Sequence, residues 1–255
     1  MSTPTSAFTR ELAPIPDPVV TVHQLTKTFG MGTTLVPALR GINLDIGRGE
    51  LTAIMGPSGS GKSTLMHCIV GLEAATSGTV TIDDKEVTAM KESQLTKLRR
   101  DNIGFIFQSF NLVPTLTARE NINLPATIAG RKIDEDRFNQ VIETVGLADR
   151  LDHRPSELSG GQQQRVACAR AMVGSPDVVF ADEPTGNLDS TATEQILKFL
   201  RTSVDELGQS VVMVTHEPDA AAWADRVVIL RDGQILGELR NPTRDSVLDA
   251  LRDGR

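Results

Sequence analysis

The chain has 255 residues, 39% hydrophobic and 23% charged, which suits one large α/β domain or two modest ones around a proper core. Lys and Arg number 26 against 33 Asp and Glu, and the net charge of −7 argues against sequence-independent nucleic-acid binding and against adhesion to anionic lipid by charge alone. The longest apolar run, Ala220–Ala224, falls far short of the roughly 18–20 residues that span a bilayer, so no transmembrane segment is expected.

Met1-Ser2-Thr3-Pro4-Thr5 has neither a basic start nor an apolar core, so no secretory signal is expected. Residues 1–18, rich in Pro, Ser and Thr, read as a loose tail. Strands are expected at Val19–Val22, Ile42–Ile46 and Leu51–Met55, the last of them fully apolar but for Thr52. After a glycine-rich turn comes a helix from about Lys62 to Val70, which contains Cys68. The other cysteine, Cys168, stands a hundred positions on. Neither has His or Cys neighbours at ligand spacing, which excludes a zinc module and a disulfide scaffold and fits a reducing cytoplasm.

Short strands are expected at Ser77–Ile82 and Ile103–Phe107. The stretch Thr117–Leu147 carries helical spacing (Ile133, Phe138, Val141, Ile142, Val145) and reads as a helical insertion. Then come a helical run from Gln163 to Met172, a strand at Val178–Ala181, a helix over Ser190–Leu207, a strand at Val211–Thr215 and a helix at Ala220–Ala224. Strands at Val227–Leu230 and Gln234–Leu236 flank Asp232-Gly233, a two-residue hairpin signal. Strands alternating with helices imply a mostly parallel sheet.

Gly56-Pro57-Ser58-Gly59-Ser60-Gly61-Lys62-Ser63-Thr64 matches G-x-x-x-x-G-K-[ST] between a strand and a helix, the context this motif requires. Glycines let successive N–H groups face inward, and the helix after them presents its positive end to phosphate. Lys62 would reach the β- and γ-phosphates, and the Ser63 hydroxyl would ligate Mg²⁺.

The apolar strand Val178–Ala181 ends in Asp182 and Glu183. Ligands of an open parallel sheet sit at the carboxyl ends of its strands. Asp182 would therefore hold Mg²⁺, directly or through water, while Glu183, facing the other way, could polarise an attacking water. Alone, such a pair would more often be a solvated acidic turn; the phosphate loop makes the catalytic reading the better one.

Leu158-Ser159-Gly160-Gly161-Gln162 precedes the helical run from Gln163 and forms a second helix start suited to an anion. With these five residues in place, the sequence resembles the nucleotide-binding subunit of ATP-binding-cassette (ABC) transporters over about Val19–Leu239. The resemblance implies an α/β P-loop NTPase core with a mostly parallel sheet, an antiparallel β subdomain and a helical subdomain over about 109–172. The ATPase domain would span 19–239, with a C-terminal tail over 240–255 forming a short helix.

It further implies that Gln108 is the glutamine that senses Mg²⁺ and couples to the membrane partner, that His216 contacts the γ-phosphate, and that Asn187-Leu188-Asp189 crosses a dimer seam. Phe29 stands where the family stacks an aromatic on adenine; many members carry Tyr there, and this chain has none. A lone His216 after a strand, or a lone Phe29, would ordinarily be structural. It is their joint order that carries the functional reading.

Phe107-Gln108-Ser109-Phe110-Asn111-Leu112-Val113-Pro114-Thr115-Leu116-Thr117, with Glu120-Asn121, Leu124-Pro125 and Thr185–Asp189, resembles the branch of lipoprotein-releasing, macrolide-exporting and antimicrobial-peptide-resistance ATPases. This resemblance implies an ATP hydrolase that uses ATP and Mg²⁺. Such an enzyme closes as a head-to-tail homodimer on ATP binding and drives a separate integral membrane permease from the cytoplasmic face of the cell membrane. The permease is expected to dock near Phe110–Leu116.

An alternative is an ATP-gated regulatory clamp with slow turnover. A soluble ABC-type ATPase acting on DNA or ribosomes is disfavoured by the single cassette and the acidic balance, and GTP specificity by the absence of Asn-Lys-x-Asp and Thr-Lys-x-Asp.

Overall fold

The computed structural model describes residues 8–30 and 34–253; expectations for 1–7 and 254–255 lie outside the described residues. In chain order the elements are β1 (Pro18–Phe29), β2 (Val36–Gly47), β3 (Leu51–Met55), α1 (Lys62–Ile69), β4 (Ser77–Ile82), β5 (Lys85–Glu86), α2 (Glu92–Asp101), β6 (Ile103–Ile106), α3 (Ala118–Ile128), α4 (Glu135–Val145), α5 (Gly160–Met172), β7 (Val178–Asp182), α6 (Ser190–Asp205), β8 (Ser210–Val214), α7 (Pro218–Ala221), β9 (Arg226–Arg231), β10 (Gln234–Arg240) and α8 (Arg244–Asp253). No helix among the described residues is long and apolar enough to cross a membrane.

The chain divides into two compact units, with boundaries at Leu95/Thr96 and Val211/Val212. The first unit, made of the outer two stretches, carries an antiparallel sheet in the order β2-β1-β4-β5 and a second run, β10-β9-β3-β8. In that run β3 pairs β9 in parallel and β9 pairs β10 antiparallel across Asp232-Gly233, as the hairpin signal predicts. Every residue of β3 is buried, and Leu65, Met66 and Ile69 of α1 are fully covered.

β1 runs through Phe29, well past the four residues read from sequence. Gln24 takes φ +46°, and the register with β2 slips between Val22 and Leu25. This bulge moves the buried set from Val20 and Val22 to Leu25 and Lys27, which breaks the alternation that sequence reading relies on.

In the same unit Arg226 and Glu238 form an ion pair with side chains 0% and 2% exposed. The Arg226 guanidinium also donates to the Asp45 carbonyl, and Glu238 Oε1 accepts from Ala13 N at 3.1 Å. Thr9 and Glu238 exchange backbone hydrogen bonds of 2.9 and 2.8 Å.

The second unit holds the parallel pair β6–β7, the helices α3 to α6 and the first residues of β8. Its centre is α5, whose Val166–Ala169 are all fully buried and which packs on α3, α4 and α6. α3 starts on a capping box, with Thr117 Oγ1 accepting from Glu120 N and the Glu120 carboxylate accepting in return from Thr117 N. The fully buried Asn121 accepts from Val113 N at 2.7 Å and donates to the carbonyls of Val113, Leu116 and Thr117. One side chain thus fixes the path from Val113 to Thr117.

Candidate nucleotide site

In the first unit the buried strand β3 stops at Met55 and the chain curls through Pro57, Ser58 and Gly59, which are all exposed. Gly56 has no alternative: a Cβ there would collide with the Leu230 carbonyl oxygen and lie 2.8 Å from Ser60 Oγ. Gly61 caps α1 in the left-handed region at φ +102°, and a Cβ would come within 2.7 Å of the Ala38 carbonyl oxygen. The first turn of α1 contains no acidic residue, and its N-cap supplies no side-chain acceptor. The N-terminal N–H groups therefore keep the character of an anion site.

Lys62 is 7% exposed, and its Nζ donates to the carbonyl oxygens of Gly56 and Pro57, each at 2.9 Å. Ser60 Oγ is buried without a partner among the described residues. A basic residue inside the curl, an unsatisfied hydroxyl and an uncapped helix start together fit a phosphate group.

His216 comes just after β8 and is exposed. It lines a hollow of about 260 Å³ together with Gly56 and Pro57, so the structure brings this histidine to the phosphate loop. Phe29 ends β1 at 40% exposure and is not among the residues lining that hollow. The ammonium of Lys27 lies 4.7 Å from its ring centroid and also donates to the Ala74 carbonyl oxygen at 2.8 Å.

In the second unit β7 delivers Asp182 and Glu183 at its carboxyl end, both half-buried. Glu183 sits at φ +46°, a left-handed conformation uncommon for a non-glycine residue. Gly186 N donates to the Glu183 carbonyl oxygen at 3.1 Å.

Gln108 is tied to Asn187: Asn187 Nδ2 donates to the Gln108 carbonyl oxygen at 3.1 Å, and Gln108 Nε2 lies 3.5 Å from Asn187 Oδ1. Asp189 serves as the N-cap of α6, accepting from Ala192 N at 2.8 Å. A hollow of about 340 Å³ is bounded by Ser159, Gly160, Gly161, Gln162, Asn187, Leu188 and Asp189, so these two predicted groups lie together.

Ser159 and Gln162 form a capping box, Oγ accepting from Gln162 N at 3.3 Å and Gln162 Oε1 from Ser159 N at 2.8 Å. α5 therefore begins at Gly160, three residues before the sequence-read start. Ser159-x-x-Gln162 carries that start signal as a capping box.

Phe110, Leu112, Val113 and Leu116 are half-buried. A Cβ on Gly160 would lie 3.7 Å from Phe110 Cζ, which places that ring against the start of α5. Phe110 and Asn111 take φ +57° and +49°, and their carbonyls accept from Arg170 Nη2 at 2.9 Å and Nη1 at 2.6 Å. Burial holds the Arg170 pKa below that of an ordinary arginine.

An apolar groove of about 460 Å³ in this unit is formed by Phe105, Phe107, Leu124, Pro125 and Ile128, with Arg99, Arg100 and Arg170 along it; from the expected docking segment only Asn111 lines it. Sequence reading missed Arg170 and Gln164, both on α5, because neither belongs to a recognisable motif.

Among the described residues no group of three or more His, Cys, Asp or Glu side chains is placed to hold a metal ion. The oxygen donors of Ser63, Gln108 and Asp182 are of the hard kind that Mg²⁺ takes in ones and twos, the rest of its shell coming from phosphate and water.

The family model described as ABC transporter matches residues 39–186. The ATP-binding protein YvrO of Bacillus subtilis, named an uncharacterized ABC transporter component, is 46% identical over 220 residues, covering 86% of this chain and 96% of that protein. The macrolide export ATP-binding/permease protein MacB of Marinobacter nauticus is 44% identical over 223 residues; the match covers 87% of this chain but 34% of the relative, so the chain spans about a third of that protein. This agrees with the macrolide-export branch read from Phe107–Thr117.

The cassette MJ0796 of Methanocaldococcus jannaschii, solved as a dimer in a post-hydrolysis state bound to ADP and Pi, superposes with a TM-score of 0.78 at 42% identity, covering 88% of this chain and 99% of that one. The chain belongs to the ABC transporter family as an ATP-binding cassette, and it is an ATPase homologous to dimeric transporter subunits.

Proposed function

We propose that this cassette hydrolyses Mg-ATP at the seam of a head-to-tail homodimer and drives an integral membrane permease, which holds it at the cytoplasmic face of the membrane. The phosphate curl carries this reading: Lys62 already points its charge into the loop, and Ser60 Oγ lies buried beside it without a partner among the described residues. In each site Gly56–Thr64 of one protomer would hold the phosphates, with Leu158–Gln162 and Asn187–Asp189 of the other facing them. Phe29 would stack on the adenine.

Ser63, Gln108 and Asp182 would hold Mg²⁺, which when bound neutralises charge on the phosphate oxygens. Glu183 would accept the proton of the attacking water, and His216, beside Gly56 and Pro57, would contact the terminal phosphate. The segment Phe110–Leu116 and the apolar groove beside Phe105 and Phe107 would receive a cytoplasmic segment of the permease through apolar contact.

Two variants test the reading. Lys62→Ala should lose ATP binding and turnover. Glu183→Gln should bind ATP normally, hydrolyse it about 10²–10⁴-fold more slowly, and elute as a stable dimer on gel filtration with Mg-ATP. Near-normal turnover by Lys62→Ala would remove the phosphate-loop assignment.

A further inference from the structure

We infer that Gln164 is a positioning residue for Glu183. Its carboxamide holds the carbonyl of Pro184, the residue after this glutamate, and so aims the carboxylate from within α5. The side chain is fully buried. Nε2 donates to the Pro184 carbonyl oxygen at 2.7 Å and to the Phe107 carbonyl oxygen at 3.3 Å, while Oε1 is buried with no partner among the described residues. A buried acceptor left unsatisfied is costly, and an apolar side chain of the same shape would avoid the cost. The amide is therefore explained by what its two protons reach.

They reach the two carbonyls that adjoin the proposed machinery. Phe107 immediately precedes Gln108, and Pro184 immediately succeeds Glu183. A residue before proline ordinarily takes an extended conformation, whereas Glu183 is found at φ +46°. Such conformations persist only where the surroundings over-determine them. Here Gly186 N holds the Glu183 carbonyl, and Gln164 holds the next carbonyl along. Because Ser159 caps α5, the residue that aims Glu183 rides on the helix that Leu158–Gln162 opens. Gln164 touches no reacting group and acts through the backbone.

The inference rests on the reading of Glu183 as base, and the test separates the two. In the full chain, Gln164→Met keeps the length of the side chain and removes the donor. Gln164→Asn keeps an amide but withdraws it by one methylene, and it serves as the second variant should the first fail to fold.

Both should bind a non-hydrolysable ATP analogue within about twofold of wild type and lose about 10- to 100-fold in kcat. Added to Glu183→Gln, either substitution should slow single-turnover hydrolysis no further. Wild-type kcat in both variants would overturn the inference, as would a parallel loss of analogue binding or an undiminished loss in the Glu183→Gln background. If Glu183→Gln itself turned over like wild type, the reading of Glu183 would fall instead.

Discussion

Lys62 turns its ammonium onto the carbonyls of Gly56 and Pro57, so an incoming phosphate meets a cation already inside the curl. Phe29 is prepared differently, with Lys27 near its ring and much of the ring still exposed. Phe29→Leu is expected to weaken ATP binding by about 2- to 10-fold, an aromatic pair contributing ~0.5–1.5 kcal/mol, and to leave tripolyphosphate binding unchanged; titration of both ligands checks this.

Both cysteines are free and buried, and burial pushes the Cys68 thiol up to about 11 and the Cys168 thiol up to about 12. Since the thiolate is the reactive form, a thiol-disulfide reagent at neutral pH should modify neither residue in the native protein and both after unfolding. At this scale the phosphate loop is legible in the sequence because one short run supplies all its parts. Gln164 is not, because Gln162, Gln163 and Gln164 look alike until helical phase sends the first to the cap, the second to the Leu158 carbonyl and the third into the core.

β3 and β4 coincide with their sequence-read limits because their signals are purely local. α2 has no counterpart in the sequence reading: Glu92–Asp101 offers only Leu95 and Leu98 as apolar anchors among polar residues, too few to register a helical period. In α3 the reciprocal Thr117–Glu120 cap supports the first turn. Thr117→Ala should therefore cost about 1 kcal/mol and lower the Tm by about 2–4 °C, with basal ATPase unchanged, as thermal melts and a turnover assay would show. The tie between Gln108 and Asn187 joins residues 79 positions apart and has no local signal to announce it.

If each catalytic site is shared between protomers, Lys62→Ala and Ser159→Arg should each be inactive alone. Mixed, they should recover part of the activity, because one site in the heterodimer then carries neither lesion; activity assays on proven heterodimers decide it. Leu112→Glu should weaken co-purification with the permease and spare the basal ATPase. The first unit also has a consequence for biosynthesis. Leu51 N donates to Asp225 Oδ2 across 174 positions, β3 lies beside β9, and the Ser60 carbonyl accepts a bond from Gly233 N. At ~5–20 residues per second, about 9–35 s pass between translation of β3 and translation of its neighbour. Throughout that interval the phosphate loop lacks the strand that shapes it. A nascent chain therefore emerges with its nucleotide motif translated but unable to hold ATP, and competence arrives late and all at once when β9 seats beside β3.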